Sequence, residues 1–321
     1  MPLNFALAPH VRKKESSRSV MMDAIIPLLM LLIVPFIYSS LRVLSITGAA
    51  VLSAVVSEAL FCLFARKDIT VADLSAVVTG LVVAMLMPVS APLWLPVAAS
   101  AFAILVVKMP LGGMGNTPFN PAAGGVAFAT VFFTGELFKY RDTKLLEPLP
   151  VFANPNLAGV ESPALLLHRH TRPDIFPSEM ALGNFPGPMG TSAVLVIAAC
   201  AIYLMLRKTV PWQIPVFFIG TAAVFALLFP RIPGNRLESL TFELLSGSLV
   251  FAGVFMAAEP STAPKSSVAR GMYGALGGLL CMLLRYFGIY EQGACFAILM
   301  VNAVSYSLDR LGMQLAARGK R

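Results

Sequence analysis

The residues best suited to chemistry fall in three groups. Residues 108–125 read KMPLGGMGNTPFNPAAGG and lie between two long apolar runs. Asn116 and Asn120 bring amide donors and acceptors into that stretch. Gly112, Gly113 and Gly115 let the backbone approach a ligand or another helix closely. Pro121 is suited to start the following helix, with Asn120 as its cap. Irregular backbone at membrane depth is tolerated only where it is buried in protein or lines a cavity. The stretch therefore predicts a site or a gate, and a tight turn with close helix packing is the simpler reading of the same residues.

The second group is Phe185-Pro186-Gly187-Pro188-Met189-Gly190-Thr191-Ser192. Gly and Pro loosen the backbone there, and Thr191 and Ser192 are placed to open a helix. Exposed N–H groups and the positive dipole end at such a start favour an anion such as a phosphate. The hydroxyls are also able to take a phosphoester, whereas an ordinary N-cap needs no ligand at all. The third group is acidic. Glu58 and Glu243 fall inside apolar runs, and Glu259 stands before Pro260, with Arg270 beyond a polar loop. Intramembrane carboxylates are expensive, so each marks an ion path or a local ion pair. Glu259 and Arg270 are a candidate pair. His168 and His170, beside Arg169 and Arg172, read as solvated loop residues without a role.

The elements that must position these groups are membrane helices. Hydrophobic residues make up 57% of the 321, charged residues 12%, and mean hydropathy is +0.79. Soluble domains carry about 25% charged residues, so this is an all-α integral membrane protein with little room for a soluble domain. The net charge of +8 needs no nucleic acid, because basic ends and short basic loops are what membrane orientation requires. Cys62, Cys200, Cys281 and Cys295 are scattered in or beside apolar runs, without metal-ligand spacing. They read as buried apolar residues. No signal peptide is expected, since the first twenty residues are polar and basic.

A spanning helix needs about 20 apolar residues. The sequence predicts about ten spans on that measure, near 22–38, 43–65, 69–89, 93–108, 121–134, 191–206, 212–229, 240–258, 271–287 and 294–308. Arg12, Lys13, Lys14 and Arg18 precede them, and Arg310, Arg318, Lys320 and Arg321 follow. Both termini are therefore expected in the cytoplasm, in a multi-pass plasma-membrane protein. The implied organisation is a basic tail 1–20, a first transmembrane half 21–134, an extracytoplasmic loop 135–190, a second half 191–309 and a tail 310–321. External Arg231 and Arg236 are exceptions to the charge rule. Pro88-Val89-Ser90-Ala91-Pro92 is echoed by Pro260-Ser261-Thr262-Ala263-Pro264, and Phe102-Ala103-Ile104-Leu105 by Phe296-Ala297-Ile298-Leu299. With five spans in each half, the echoes suggest two inverted five-helix repeats with broken helices.

Over nearly its whole length the chain resembles the D subunits of Rnf electron transport complexes, homologous to the B subunit of the sodium-pumping NADH:quinone reductase. The resemblance is carried by Asp73-Leu74-Ser75-Ala76, Thr79-Gly80-Leu81, Pro88, Pro92-Leu93-Trp94 and Lys108. Gly112-Gly113-Met114-Gly115-Asn116 with Phe119-Asn120-Pro121-Ala122-Ala123 is its most specific part. It continues in Gly247-Ser248-Leu249-Val250-Phe251, Phe255-Met256-Ala257, Glu259-Pro260, Tyr273-Gly274 and Asn302. The resemblance implies a membrane subunit, active only within a complex, that couples electron transfer between ferredoxin and NAD to Na+ or H+ translocation.

It also implies FMN joined through its phosphate to a threonine, installed by a flavin transferase, and allows a noncovalent riboflavin. The matching place reads Gly190-Thr191-Ser192-Ala193, about one residue shorter than the family pattern, so Thr191 is the expected anchor and Ser192 the alternative. Ala258-Glu259 stands where the family usually has Thr-Asp. Other Rnf subunits would bind ferredoxin and NAD, since no strand-borne GxGxxG occurs here. A small-solute channel or transporter without a redox cofactor is the competing reading.

Overall fold

The apolar runs form helices whose outward faces are themselves apolar. The computed structural model describes residues 17–39, 41–68, 70–142, 149–153, 155, 159–232 and 235–318. The first half holds α1 (Ser17–Ser39), α2 (Arg42–Phe64), α3 (Ser75–Met85), α4 (Trp94–Lys108) and α5 (Pro121–Phe132). Two short helices, α6 (Pro163–His168) and α7 (Pro177–Leu182), follow. The second half holds α8 (Val194–Leu206), α9 (Gln213–Leu228), α10 (Arg236–Leu245), α11 (Leu249–Met256), α12 (Ser267–Phe287) and α13 (Ala294–Arg318).

By length and composition α1, α2, α12 and α13 are able to cross a membrane, and α10 with α11 passes as a pair bent by 63°. The other apolar helices are shorter. Leu52, Phe132, Leu206 and Val224 are among many large apolar side chains left exposed. A surface of this kind is stable in lipid and is a liability in water. The protein is an all-α membrane protein, and the predicted runs coincide with these helices or the bent pair.

Several boundaries differ from the sequence reading. The third run, expected over 69–89, is α-helical only from Ser75 to Met85, after a 3-10 turn at Val71–Asp73. Asp73 stops it at one end by accepting from the Ser75 N–H at 2.8 Å. At the other end the Met85 and Met87 carbonyls accept from Gly190 and Met189, at 2.8 and 3.0 Å. The last helix runs past 308 to Arg318. Arg12, Lys13, Lys14, Lys320 and Arg321 lie outside the described residues.

Each half follows one packing order. In the first, α1 packs on α3, α2 on α3 and α4, and α4 on α5. In the second, α8 packs on α11, α9 on α10 and α12, and α12 on α13. The echo at 88–92 and 260–264 fits this scheme, because each string follows the broken third element of its half. The other echo does not. Phe102 lies in the fourth helix of the first half and Phe296 in the fifth of the second, so that string is a coincidence of apolar composition. Close helix contact depends on missing side chains: Gly125 abuts the Ala99 carbonyl, and Gly278 abuts the Phe218 carbonyl.

Candidate functional site

Lys108 ends α4 and is buried, as is Glu58 in the last two turns of α2. The Lys108 ammonium donates to Glu58 Oε2 at 2.6 Å and to Ser75 Oγ at 2.6 Å. Ser75 Oγ donates onward to Asp73 Oδ1 at 2.5 Å, and Thr70 Oγ1 donates to Glu58 Oε1 at 2.5 Å. One lysine therefore faces two carboxylates through a continuous hydrogen-bond chain. Such a pair persists in a low-dielectric interior only when the partners are this well satisfied. Glu58 is thus part of an ion pair, one of the two readings its sequence allowed.

A cavity of about 530 Å3 lies beside this chain. Thr70 and Asp73 line it on one side, Gly112, Gly113 and Gly115 on another. These glycines have φ of 123°, 74° and 85°, which side chains rarely tolerate. Their role is to form the wall of the cavity. Asn116 belongs to the same loop and is exposed.

Asn120 is the buried member of the predicted pair. Its Oδ1 accepts from Ala123 N at 2.8 Å, which makes it the cap of α5, with Pro121 in the first turn. Its Nδ2 donates to the Met256 carbonyl at 3.0 Å, and its N–H donates to Asn302 Oδ1 at 3.0 Å. Asn302 in turn donates to the Tyr273 hydroxyl at 2.7 Å. Asn120 therefore ties the two halves together where α11 ends.

Just beyond α11, Glu259 does not pair with Arg270, whose Nε donates to the Pro264 carbonyl at 3.0 Å. Desolvation pushes the Glu259 carboxyl up to about 7, partly offset by Ser261, Lys108 and Asn120.

Gly190, Thr191 and Ser192 lie at the opposite end of α3. Thr191 is fully buried. Its hydroxyl donates back to the Pro188 carbonyl at 3.3 Å, and Ser192 Oγ donates to the Met189 carbonyl at 3.4 Å. Neither caps α8, which begins only at Val194 after Ala193. The helix start expected at Thr191 lies instead at Val194, and the Gly190 and Met189 N–H groups bond to the Met85 and Met87 carbonyls at the end of α3. The cavity touching Ser192 and Arg141 measures about 40 Å3.

The same end carries a second buried charge cluster. Glu243 stands 3.3 Å from Arg231 and 3.4 Å from Arg285. Arg285 also donates to the Glu243 and Ser246 carbonyls, and Arg231 stacks 3.7 Å over the Tyr286 ring. Burial lowers the Arg231 guanidinium from its ordinary range. Arg231, an exception to the charge rule, is thus explained by a buried carboxylate. His168 is not merely solvated: its Nδ1 lies 3.2 Å from the Arg285 carbonyl. Glu291 accepts from Tyr140 at 2.8 Å and from Ser162 at 2.7 Å, fixing the long loop to the α12–α13 turn. The sequence reading did not single out Arg285, although a lone arginine inside an apolar helix is a legible signal.

The profile of the NQR2, RnfD, RnfE family matches residues 4–316. The chain belongs to this family. It is 30% identical over 312 residues to the D subunit of the Na(+)-translocating ferredoxin:NAD(+) oxidoreductase complex of Acetobacterium woodii, covering 96% of this chain and 93% of that one. It is 27% identical over 305 residues to the D subunit of the proton-translocating ferredoxin:NAD(+) oxidoreductase complex of Clostridium ljungdahlii, covering 94% and 92%. It is 30% identical over 329 residues to the D subunit of the ion-translocating oxidoreductase complex of Alcanivorax borkumensis, covering 96% and 95%. For this member of the family, the residues that carried the resemblance fall mainly around Lys108, Asn120 and α11.

Proposed function

We propose that this chain is the D-type membrane subunit of an Rnf complex, coupling ferredoxin:NAD oxidoreduction to the movement of Na+ or H+ across the plasma membrane. Near-complete coverage of relatives with that description carries the reading. The geometry supports it through the buried chain Glu58–Lys108–Ser75–Asp73, which borders a cavity at one end of the bundle. Networks of this type are where cations or protons are handled inside membranes. Ferredoxin and NAD are bound by the other subunits. Relatives described with Na+ and with H+ are about equally similar, so either ion suits the reading. Deleting this chain should abolish ferredoxin-dependent NAD reduction in inside-out vesicles and its coupled ion uptake. Unchanged activity without the chain would end the proposal.

The finer part of the proposal is FMN esterified to Thr191 by a flavin transferase. As folded, these residues do not fit it: Thr191 is enclosed, and the adjoining 40 Å3 cavity is far below the ~300 Å3 and upward of ligand pockets. Attachment requires residues 188–192 to leave Met85 and Met87. Coexpression with a flavin transferase should give ultraviolet fluorescence that survives denaturation and disappears in Thr191→Ala. Loss only in Ser192→Ala would move the anchor, and a dark wild-type band would remove covalent FMN from the proposal while leaving the Rnf assignment intact.

A further inference from the structure

A second large cavity, of about 390 Å3, opens between the α8–α9 turn and the loop before α12. Lys208, Lys265 and Arg270 line it, together with Trp212 and Gln213. No carboxylate lines it, and none of the three cations forms an ion pair among the described residues. Two long helices start at its edge, α9 at Gln213 and α12 at Ser267, and neither has a side-chain cap. Asp309 accepts from the Lys265 and Ser266 N–H groups ahead of α12, at 3.0 and 2.9 Å, so it is the α9 dipole end that adds to the three charges. Gln213 Oε1 is buried without a hydrogen-bond partner, while its Nε2 donates to Ser267 Oγ at 3.2 Å.

The surroundings distinguish a lipid from a free anion. Leu206 and Ile202 are exposed one turn apart on α8, at 79% and 60%. Trp212 and Val216 are exposed one turn apart at the start of α9, at 55% and 50%. These apolar columns flank the cations and continue along the helices, as acyl chains would. Trp at the headgroup level and Lys or Arg on the cytoplasmic side are the usual interfacial pairing.

We propose that this cavity binds the phosphate headgroup of an anionic phospholipid. Lys208, Lys265 and Arg270 hold the phosphate. A headgroup hydroxyl donates to Gln213 Oε1, and the acyl chains lie along Leu206 and Trp212. A zwitterionic headgroup would bring its own cation against these three and an anionic one would not, so an anionic lipid is preferred.

The test is native mass spectrometry of the full chain in detergent, titrated with phosphatidylglycerol or with phosphatidylcholine of the same acyl chains. Wild type should retain phosphatidylglycerol preferentially. Lys208→Gln with Lys265→Gln should weaken it roughly thirtyfold, from the contribution of two basic residues near an anionic surface, and leave phosphatidylcholine unchanged. Both lysines are exposed, so the fold should survive, and Lys208→Arg with Lys265→Arg should keep the preference. Equal binding of the two lipids, or full retention in the double Gln variant, would overturn the proposal. So would displacement of the lipid by millimolar inorganic phosphate, which would mark a free-anion site.

Discussion

Lys108 and Glu58 stand 2.6 Å apart, with side chains 3% and 0% exposed, and each closes the other's charge. Removing one partner leaves the other as an uncompensated ion in the interior. Lys108→Ala should destabilise the protein by about 3–5 kcal/mol. Lys108→Met combined with Glu58→Gln should recover most of the loss. Thermal unfolding followed by a thiol-reactive dye is the measurement, because Cys62, Cys200, Cys281 and Cys295 are all free and buried.

Gly190 tolerates no larger residue. A Cβ there would stand 2.5 Å from Met85 Cβ, so Gly190→Ala should push residues 188–192 off α3. The expected cost is about 1–3 kcal/mol. Faster hydrogen exchange at Met189 and Gly190 would accompany it, whereas unchanged exchange would mean that the neighbouring turn absorbs the methyl group.

At Asn120 the capping oxygen and the donor to Met256 separate by substitution. Asn120→Ala removes both and should cost about 1–2 kcal/mol. Asn120→Ser keeps a cap and should be the milder change. Equal losses in the two variants would show that the link to Met256, not the cap, dominates.

Glu259 gives stability a pH dependence of definite sign. Its carboxyl is raised from 4.5 to about 7 in the folded chain, so the folded state holds a proton that the unfolded state has released. The stabilisation is therefore complete below about 4.5 and is lost as pH rises to about 7. Glu259→Gln should flatten the melting temperature across that window. A variant that keeps the wild-type slope would place the titration elsewhere.

Much of this arrangement is legible in the amino-acid order alone. Asn120 followed by proline signals a capped helix start, and apolar runs signal helices because lipid leaves few alternatives. Glu58 and Lys108 are both visible as charges in apolar sequence, but their pairing spans fifty positions and follows only from packing. Thr191 shows the opposite case. Its local pattern reads as a helix cap, but α8 starts only at Val194 and the Thr191 hydroxyl turns back to the Pro188 carbonyl. Arg285 is visible as a lone charge in an apolar helix, but its partners Glu243 and Arg231 are distant in sequence and only packing brings them together.

The short helix α3 has a mechanical consequence. It is a rod of eleven residues, about 16 Å long at 1.5 Å per residue. Its first residue, Ser75, is tethered to Lys108, and its last, Met85, is tethered to Gly190. A rigid strut pinned at both ends passes an axial displacement from one end to the other with little attenuation. Events at the glycine loop and at the long loop are therefore not independent: a shift of either must be accommodated by the other, through a piece of backbone too short to bend.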